Sequence, residues 1–211
     1  MLVFWQQRLA LLATPKTGTT AIESALESLA AVVIQRPPQL KHTTVARYHR
    51  FIGPYLETSA GQPFTLVTVM REPRDWLGSW YRYRQRQDMG NDQNSTSGIS
   101  FEDFVRAYCS DKPPAWAQVG SQARFVTPHK NGRGLDRLFR YEAIEDFIHF
   151  LEEKLDCEII LPRLNVSPAG DLHLSDQAEA MLHRHLARDF ELYDTLTREG
   201  PEATAQILLR G

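Results

Sequence analysis

Cysteine is scarce: only Cys109 and Cys157 occur in the 211 residues. Neither sits in a C-x-x-C pair or a Cys/His ligand spacing, so a disulfide framework and a zinc site are both excluded as organising features. Both thiols are expected to be reduced, and no metal site is expected. No run approaches the roughly 18 apolar residues that a membrane-spanning helix needs. The opening stretch MLVFWQQRLALLA is apolar, but Gln6, Gln7 and Arg8 interrupt it and no basic segment precedes it. That pattern argues against a secretory signal and makes a cytoplasmic protein the expectation. A dominant charge is missing too: 24 Lys and Arg against 26 Asp and Glu leave a formal charge of -2. Nucleic acid and anionic membrane surfaces are therefore not expected partners, and any anion site must be local. Linkers are also lacking. The one long stretch poor in apolar residues, Asp88 to Ser100 (DMGNDQNSTSGIS), is loop-sized and runs straight into an amphipathic segment, so residues 1–211 are expected to form a single domain. This stretch is a candidate mobile lid.

What is present alternates. Apolar runs at Leu9 to Ala13, Ala31 to Ile34, Phe64 to Met70 and Leu135 to Tyr141 predict strands. Helical spacing follows the first at Ala21, Ile22, Ala25, Leu26 and Leu29. Pro73 opens a predicted helix over Arg74 to Gln87, and Ser100 to Asp103 has the form of a capping box before Phe101, Phe104, Val105 and Tyr108. Further helices are predicted over Glu142 to Leu155 and, as one long capped element, Ser175 to Leu196. The order predicts an α/β domain: a three-layer arrangement with a central, mostly parallel sheet flanked by helices, whose ligands bind at the carboxyl ends of strands.

The strongest chemistry is the segment Thr14, Pro15, Lys16, Thr17, Gly18, Thr19, Thr20 between the first strand and the first helix. Backbone amides at a helix N-terminus attract an anion, and Gly18 allows close approach. Lys16 adds a full charge, and Thr17, Thr19 and Thr20 add hydroxyls. The segment is not a Walker A loop, because Lys16 precedes Gly18 instead of following it, and the strand Phe64 to Met70 ends in Arg71 with no Walker B carboxylate. The plainer reading is a Gly/Thr turn that caps a helix. Basic residues cluster nearby: Arg71, Arg74, Arg82, Arg84 and Arg86.

Pro15 to Thr20 resembles the 5′-phosphosulfate loop P-[KR]-[TS]-G-[TS]-[TS] of the sulfotransferase superfamily. Arg71 at a strand end with Ser79 eight residues later resembles that superfamily's 3′-phosphate motif. Arg140-Tyr141-Glu142 and Leu164 to Pro168 are weaker echoes. The resemblance implies 3′-phosphoadenosine 5′-phosphosulfate as the donor, 3′,5′-adenosine bisphosphate as the product and a P-loop-like fold. It assigns the 5′-phosphate to the backbone of Thr17 to Thr20, the bridging oxygen to Lys16 and the 3′-phosphate to Arg71 and Ser79. The acceptor would be a hydroxyl or amine of a small molecule or glycan.

A hydroxyl acceptor calls for a general base. His42 is the first candidate because imidazole titrates near neutral pH and because it follows the second predicted strand. Glu23 and His49 rank below it, one carried wherever the first helix turns it, the other on an amphipathic stretch. The interleaved rings and guanidiniums of Trp80 to Arg86 suit an anionic acceptor or, more plainly, an amphipathic helix with its arginines in solvent. Two other functions stay open: a P-loop small-molecule kinase using MgATP, and a nucleotide-binding protein without catalysis.

Overall fold

The computed structural model describes residues 1–86, 93–130, 132–162 and 171–210. Strands β1 (Leu2–Phe4) and β2 (Leu9–Leu11) form an antiparallel hairpin in which Leu2 faces Leu11 and Phe4 faces Leu9. The short turn between them leaves no other pairing sense. Arg8 closes it in a left-handed conformation (φ 51°) and donates from Nη1 to the Trp5 carbonyl at 2.9 Å. The apolar N-terminal stretch is thus part of the sheet.

Next come α1 (Thr19–Leu26), β3 (Val32–Val33), α2 (Pro38–Lys41) and α3 (Val45–Arg47), then a π-helical turn over Tyr48–Ile52 and α4 (Gly53–Ala60). The chain returns through β4 (Thr65–Met70) into α5 (Pro73–Arg84), α6 (Phe101–Tyr108) and α7 (Gln122–Val126). It ends with β5 (Arg137–Arg140), α8 (Ile144–Leu155), α9 (Asp176–His185) and α10 (Ala187–Arg210).

The five strands lie in the order β3-β1-β2-β4-β5. Pairs β2–β4 and β4–β5 are parallel, whereas β1 is antiparallel to both β2 and β3. The fold is therefore α/β with a mixed sheet, and the expected mostly parallel sheet is only partly met. The exception is β1, which a tight hairpin joins to β2, while helices separate β2, β4 and β5 and permit parallel crossovers.

Alternate strand residues feed two cores, as the two-residue period of a strand requires. Val3, Ala10, Leu66 and Leu138 pack with Tyr48, Leu56 and Leu192. Leu2, Leu11, Val67 and Phe139 pack with Ile22, Phe147 and Leu151 on the other side. Burial on both faces is why these strands read as continuous apolar runs. A third cluster joins Trp76 and Tyr81 of α5, Phe104 of α6 and Leu182 of α9. Glu102 on α6 ties α9 to it, accepting from the Ser175 backbone amide and from its hydroxyl, both at 3.0 Å.

Two expected boundaries change. The predicted helix over Ser175 to Leu196 is broken at Leu186 (φ -101°, ψ 25°) into α9 and α10, and α10 itself carries a non-helical Gly200 before Pro201. Of the candidate lid, residues 88–92 lie outside the described residues, while Thr96 is buried and its hydroxyl donates to the Tyr81 carbonyl at 2.9 Å. That end is fastened to α5. Leu164 to Pro168 also lie outside the described residues. Among the described residues no helix is long and apolar enough to cross a membrane.

Candidate functional site

The loop between β2 and α1 is held from beneath by threonines. The Thr68 hydroxyl donates to the Leu12 carbonyl at 2.9 Å, which leaves its oxygen to accept from the Thr14 hydroxyl, also at 2.9 Å. Thr17 is fully buried and donates to the Thr14 carbonyl at 2.9 Å. Its hydroxyl therefore closes the loop instead of facing a ligand, unlike the role the sequence suggested. Lys16 (φ 66°) and Gly18 (φ 71°) both take left-handed conformations that turn the chain into α1. No side chain caps α1, and although the Ala21 amide donates to the Gly18 carbonyl at 3.0 Å, the amides of Thr19 and Thr20 at the helix start lie where no intrahelical acceptor precedes them. Gly18 is pressed by Tyr141: a Cβ there would lie 3.1 Å from the ring's Cε2.

Arg71 emerges one residue beyond β4. The side-chain amide of Gln122 grips its backbone at both ends, accepting from Arg71 N at 2.9 Å and donating to Arg71 O at 2.8 Å. The Arg71 guanidinium donates through Nε to Asp75 at 2.6 Å and through Nη1 to the Lys16 carbonyl at 3.3 Å, and lies 4.6 Å from the Tyr141 ring centroid. The two motifs, far apart in sequence, thus meet. Arg140-Tyr141-Glu142 joins them, because Glu142 accepts from the Glu72 amide at 2.9 Å and from the Tyr193 hydroxyl at 2.7 Å. Glu72 in turn caps α5, accepting from the Arg74 and Asp75 amides at 3.1 and 2.7 Å.

The Lys16 ammonium lies 4.0 Å from the Tyr83 ring centroid and 5.5 Å from that of Trp80. Burial, and then the charges of Arg71, Arg86 and Arg82, lower its pKa to about 8. Beside it, Trp80 Nε1 and Arg82 Nε are buried with no hydrogen-bond acceptor among the described residues. Asp75 pairs with both Arg71 and Arg82. The region combines crowded cations, idle donors and open helix amides, and an anion would satisfy all three. Ser79 lies on α5, two turns along from Arg71, but is only 3% exposed, and the Leu172 side chain covers the neighbouring Gly78. The structure brings Lys16, Gly18 and Arg71 together and keeps Ser79 beneath the surface.

His42 follows α2 with its Nδ1 2.7 Å from the Ala13 carbonyl, at the entrance to the loop. A carbonyl only accepts, so Nδ1 carries the proton and Nε2 holds a lone pair. Burial lowers its pKa, which keeps the ring neutral at neutral pH. Glu23 is instead tied up with Lys41 at 2.7 Å and the Met1 amine at 3.2 Å, and His49 pairs through Nε2 with the Gly134 carbonyl at 2.8 Å. Both hold the fold together.

A cleft of about 340 Å³ opens at the Thr14 and Pro15 end of the loop, walled by Arg47, Trp76, Arg124 and Phe125. Pattern reading missed it because, apart from Trp76 of α5, its walls come from a three-residue helix, a five-residue helix and turns, too short to show a period. A second cavity, against Ile22 and Glu23, holds only about 10 Å³. Comparison with protein-family models, curated proteins and solved structures returned no match.

Proposed function

We propose that the chain is a sulfotransferase of three-layer, P-loop-like architecture that uses 3′-phosphoadenosine 5′-phosphosulfate and modifies a hydroxyl or amine of a small molecule or glycan. The observation that carries this reading is the Arg71 to Lys16 contact, which joins the two phosphate motifs in one basic site. A guanidinium fork there suits a second phosphate on the same nucleotide.

The donor, when bound, supplies the sulfuryl group and leaves as 3′,5′-adenosine bisphosphate. The amides that open α1 hold its 5′-phosphate, and Lys16 offsets the negative charge that gathers on the departing oxygen. Arg71 would hold the 3′-phosphate at the mouth of the site, with Ser79 beneath it on α5. His42 accepts the acceptor's proton on Nε2, consistent with its tautomer and neutrality. The loop, Arg71 and the cleft wall fix the positions of both reactants, which is where most of the rate advantage of such transfers arises.

Thermal unfolding with 3′,5′-adenosine bisphosphate, set against MgATP, tests the reading. A ligand at about a hundred times its dissociation constant stabilises by roughly 2.7 kcal/mol. Stabilisation by the bisphosphate alone supports it. Stabilisation by MgATP alone replaces it with a small-molecule kinase, and bisphosphate binding with no transfer to any acceptor leaves a nucleotide-binding protein.

A further inference from the structure

The walls of the 340 Å³ cleft carry a charge pattern that the donor site does not need. Arg47 comes from α3 and Arg124 from α7, two elements that pack against each other. Both side chains are exposed, and neither forms an ion pair with a carboxylate among the described residues. Asp189, which bonds the Ser121 and Gln122 side of the cleft, is buried and engaged: it accepts from the Ser121 hydroxyl at 2.9 Å and from the Gln122 and Ala123 amides at 2.8 and 3.1 Å. Among the described residues no acidic side chain lines the cleft. Two guanidiniums are therefore left to a ligand.

The rest of the lining is largely closed: Trp76 and Phe125 back the cleft as buried rings, Thr14 is fully buried, and the Ser121 hydroxyl is engaged with Asp189, so the two arginines are its exposed charged groups. Trp76 is fixed by its indole N–H, which donates to the Pro15 carbonyl at 3.0 Å, so this wall is built onto the phosphate loop itself. The His42 ring is only two residues before Thr44. A molecule seated here meets the arginines with an anionic group and lies beside the loop at Thr14 and Pro15.

We propose that the cleft is the acceptor site and that the acceptor is itself anionic, bearing a carboxylate or sulfate besides the hydroxyl that reacts. This rests on the sulfotransferase reading for the word acceptor, but the preference for anions follows from the cleft alone. Discrimination by charge also explains the arrangement electrostatically. Cations on both sides of the loop would draw two anionic reactants together that repel one another in water.

The test uses a matched pair, 4-nitrophenyl β-D-glucuronide and 4-nitrophenyl β-D-glucoside, which differ by a carboxylate. Each is titrated calorimetrically into the whole protein at low salt, with and without 3′,5′-adenosine bisphosphate. The glucuronide is expected to bind about tenfold more tightly or better, the scale of a charged hydrogen bond. Arg47→Gln and Arg124→Gln should each cut that preference, and Arg47→Lys should keep part of it. Bisphosphate affinity should stay unchanged in all three. Equal binding of the two glycosides, binding of neither, or an intact preference in both Gln variants overturns the proposal. So does loss of bisphosphate affinity in those variants, which would make the cleft part of the donor site. A wild-type protein that prefers the glucuronide yet ignores the bisphosphate refutes the sulfotransferase reading and leaves the anion-selective cleft standing.

Discussion

Arg71 donates from Nη1 to the carbonyl of Lys16 at 3.3 Å, across 55 residues of sequence, and so braces the β2–α1 loop with the leading side chain of the second motif. Arg71→Ala should weaken 3′,5′-adenosine bisphosphate binding by about ten- to a hundredfold, the range for a lost charge-assisted pair. Arg71→Lys, which keeps the charge but loses the fork, should recover only a part. Titration calorimetry measures both, and an unchanged affinity in Arg71→Ala would remove Arg71 from the site.

Lys16 makes binding depend on pH. Burial and neighbouring cations lower its pKa to about 8, so the free protein loses this charge as pH rises through that value. Bisphosphate affinity should fall from pH 7 to pH 9 and flatten in Lys16→Met. Stability moves the other way. Because the unfolded chain keeps the proton up to the ordinary lysine range, the penalty for charging Lys16 is full below about 8 and is relieved as pH climbs above it. The wild-type melting temperature should gain on Lys16→Met as pH rises through that window.

For His42 the expectation is a loss of turnover without a loss of donor affinity. Removing a general base lowers rate by about a hundred- to ten-thousandfold. His42→Gln should show that drop in transfer to a hydroxyl acceptor with bisphosphate binding intact. Its lowered pKa places the acid limb of the wild-type rate profile below the usual histidine range, since only the neutral ring accepts a proton. Undiminished turnover in His42→Gln would place the base elsewhere.

Gly18→Ala combines backbone strain at φ 71° with a 3.1 Å approach to Tyr141. The left-handed conformation alone costs a side chain about 1–2 kcal/mol. The variant should unfold at lower temperature, and Gly18→Ala with Tyr141→Ala should regain the steric part only. Chemical denaturation midpoints separate the two contributions.

The parts of the fold legible in the sequence were those with enough length to show a period or a cap. Thr65–Met70 is six residues of unbroken strand pattern, and Ser100 does cap α6, accepting from the Asp103 amide at 3.0 Å. Leu2–Phe4 showed no such signal because three residues cannot display alternation, and they read only as part of an apolar opening stretch. The break at Leu186 was equally hidden, since no glycine or proline marks it. In the site, the loop and Arg71 were visible as motifs. The inward turn of Thr17, the burial of Ser79 and the clamp from Gln122 were not, because each depends on a partner that only tertiary packing supplies.

Asp189→Ala should be the most damaging of these substitutions to stability. It strips the acceptor from one hydroxyl and two amides at the start of α7. A loss of about 2–3 kcal/mol is expected from buried donors left without partners. Equilibrium denaturation should show it, and a change within experimental error would mean that water or backbone adjustment satisfies those donors.

Gln122 does for Arg71 what a sixth strand would do. The parallel pairing of β4 with β5 ends at Met70 opposite Arg140, and one residue later a planar side-chain amide takes over, offering donor and acceptor in the same sense as a peptide. The guanidinium therefore starts from a fixed origin, not from a wandering loop. Its aim is settled while the chain folds, and little orientational freedom remains to be surrendered when an anion arrives.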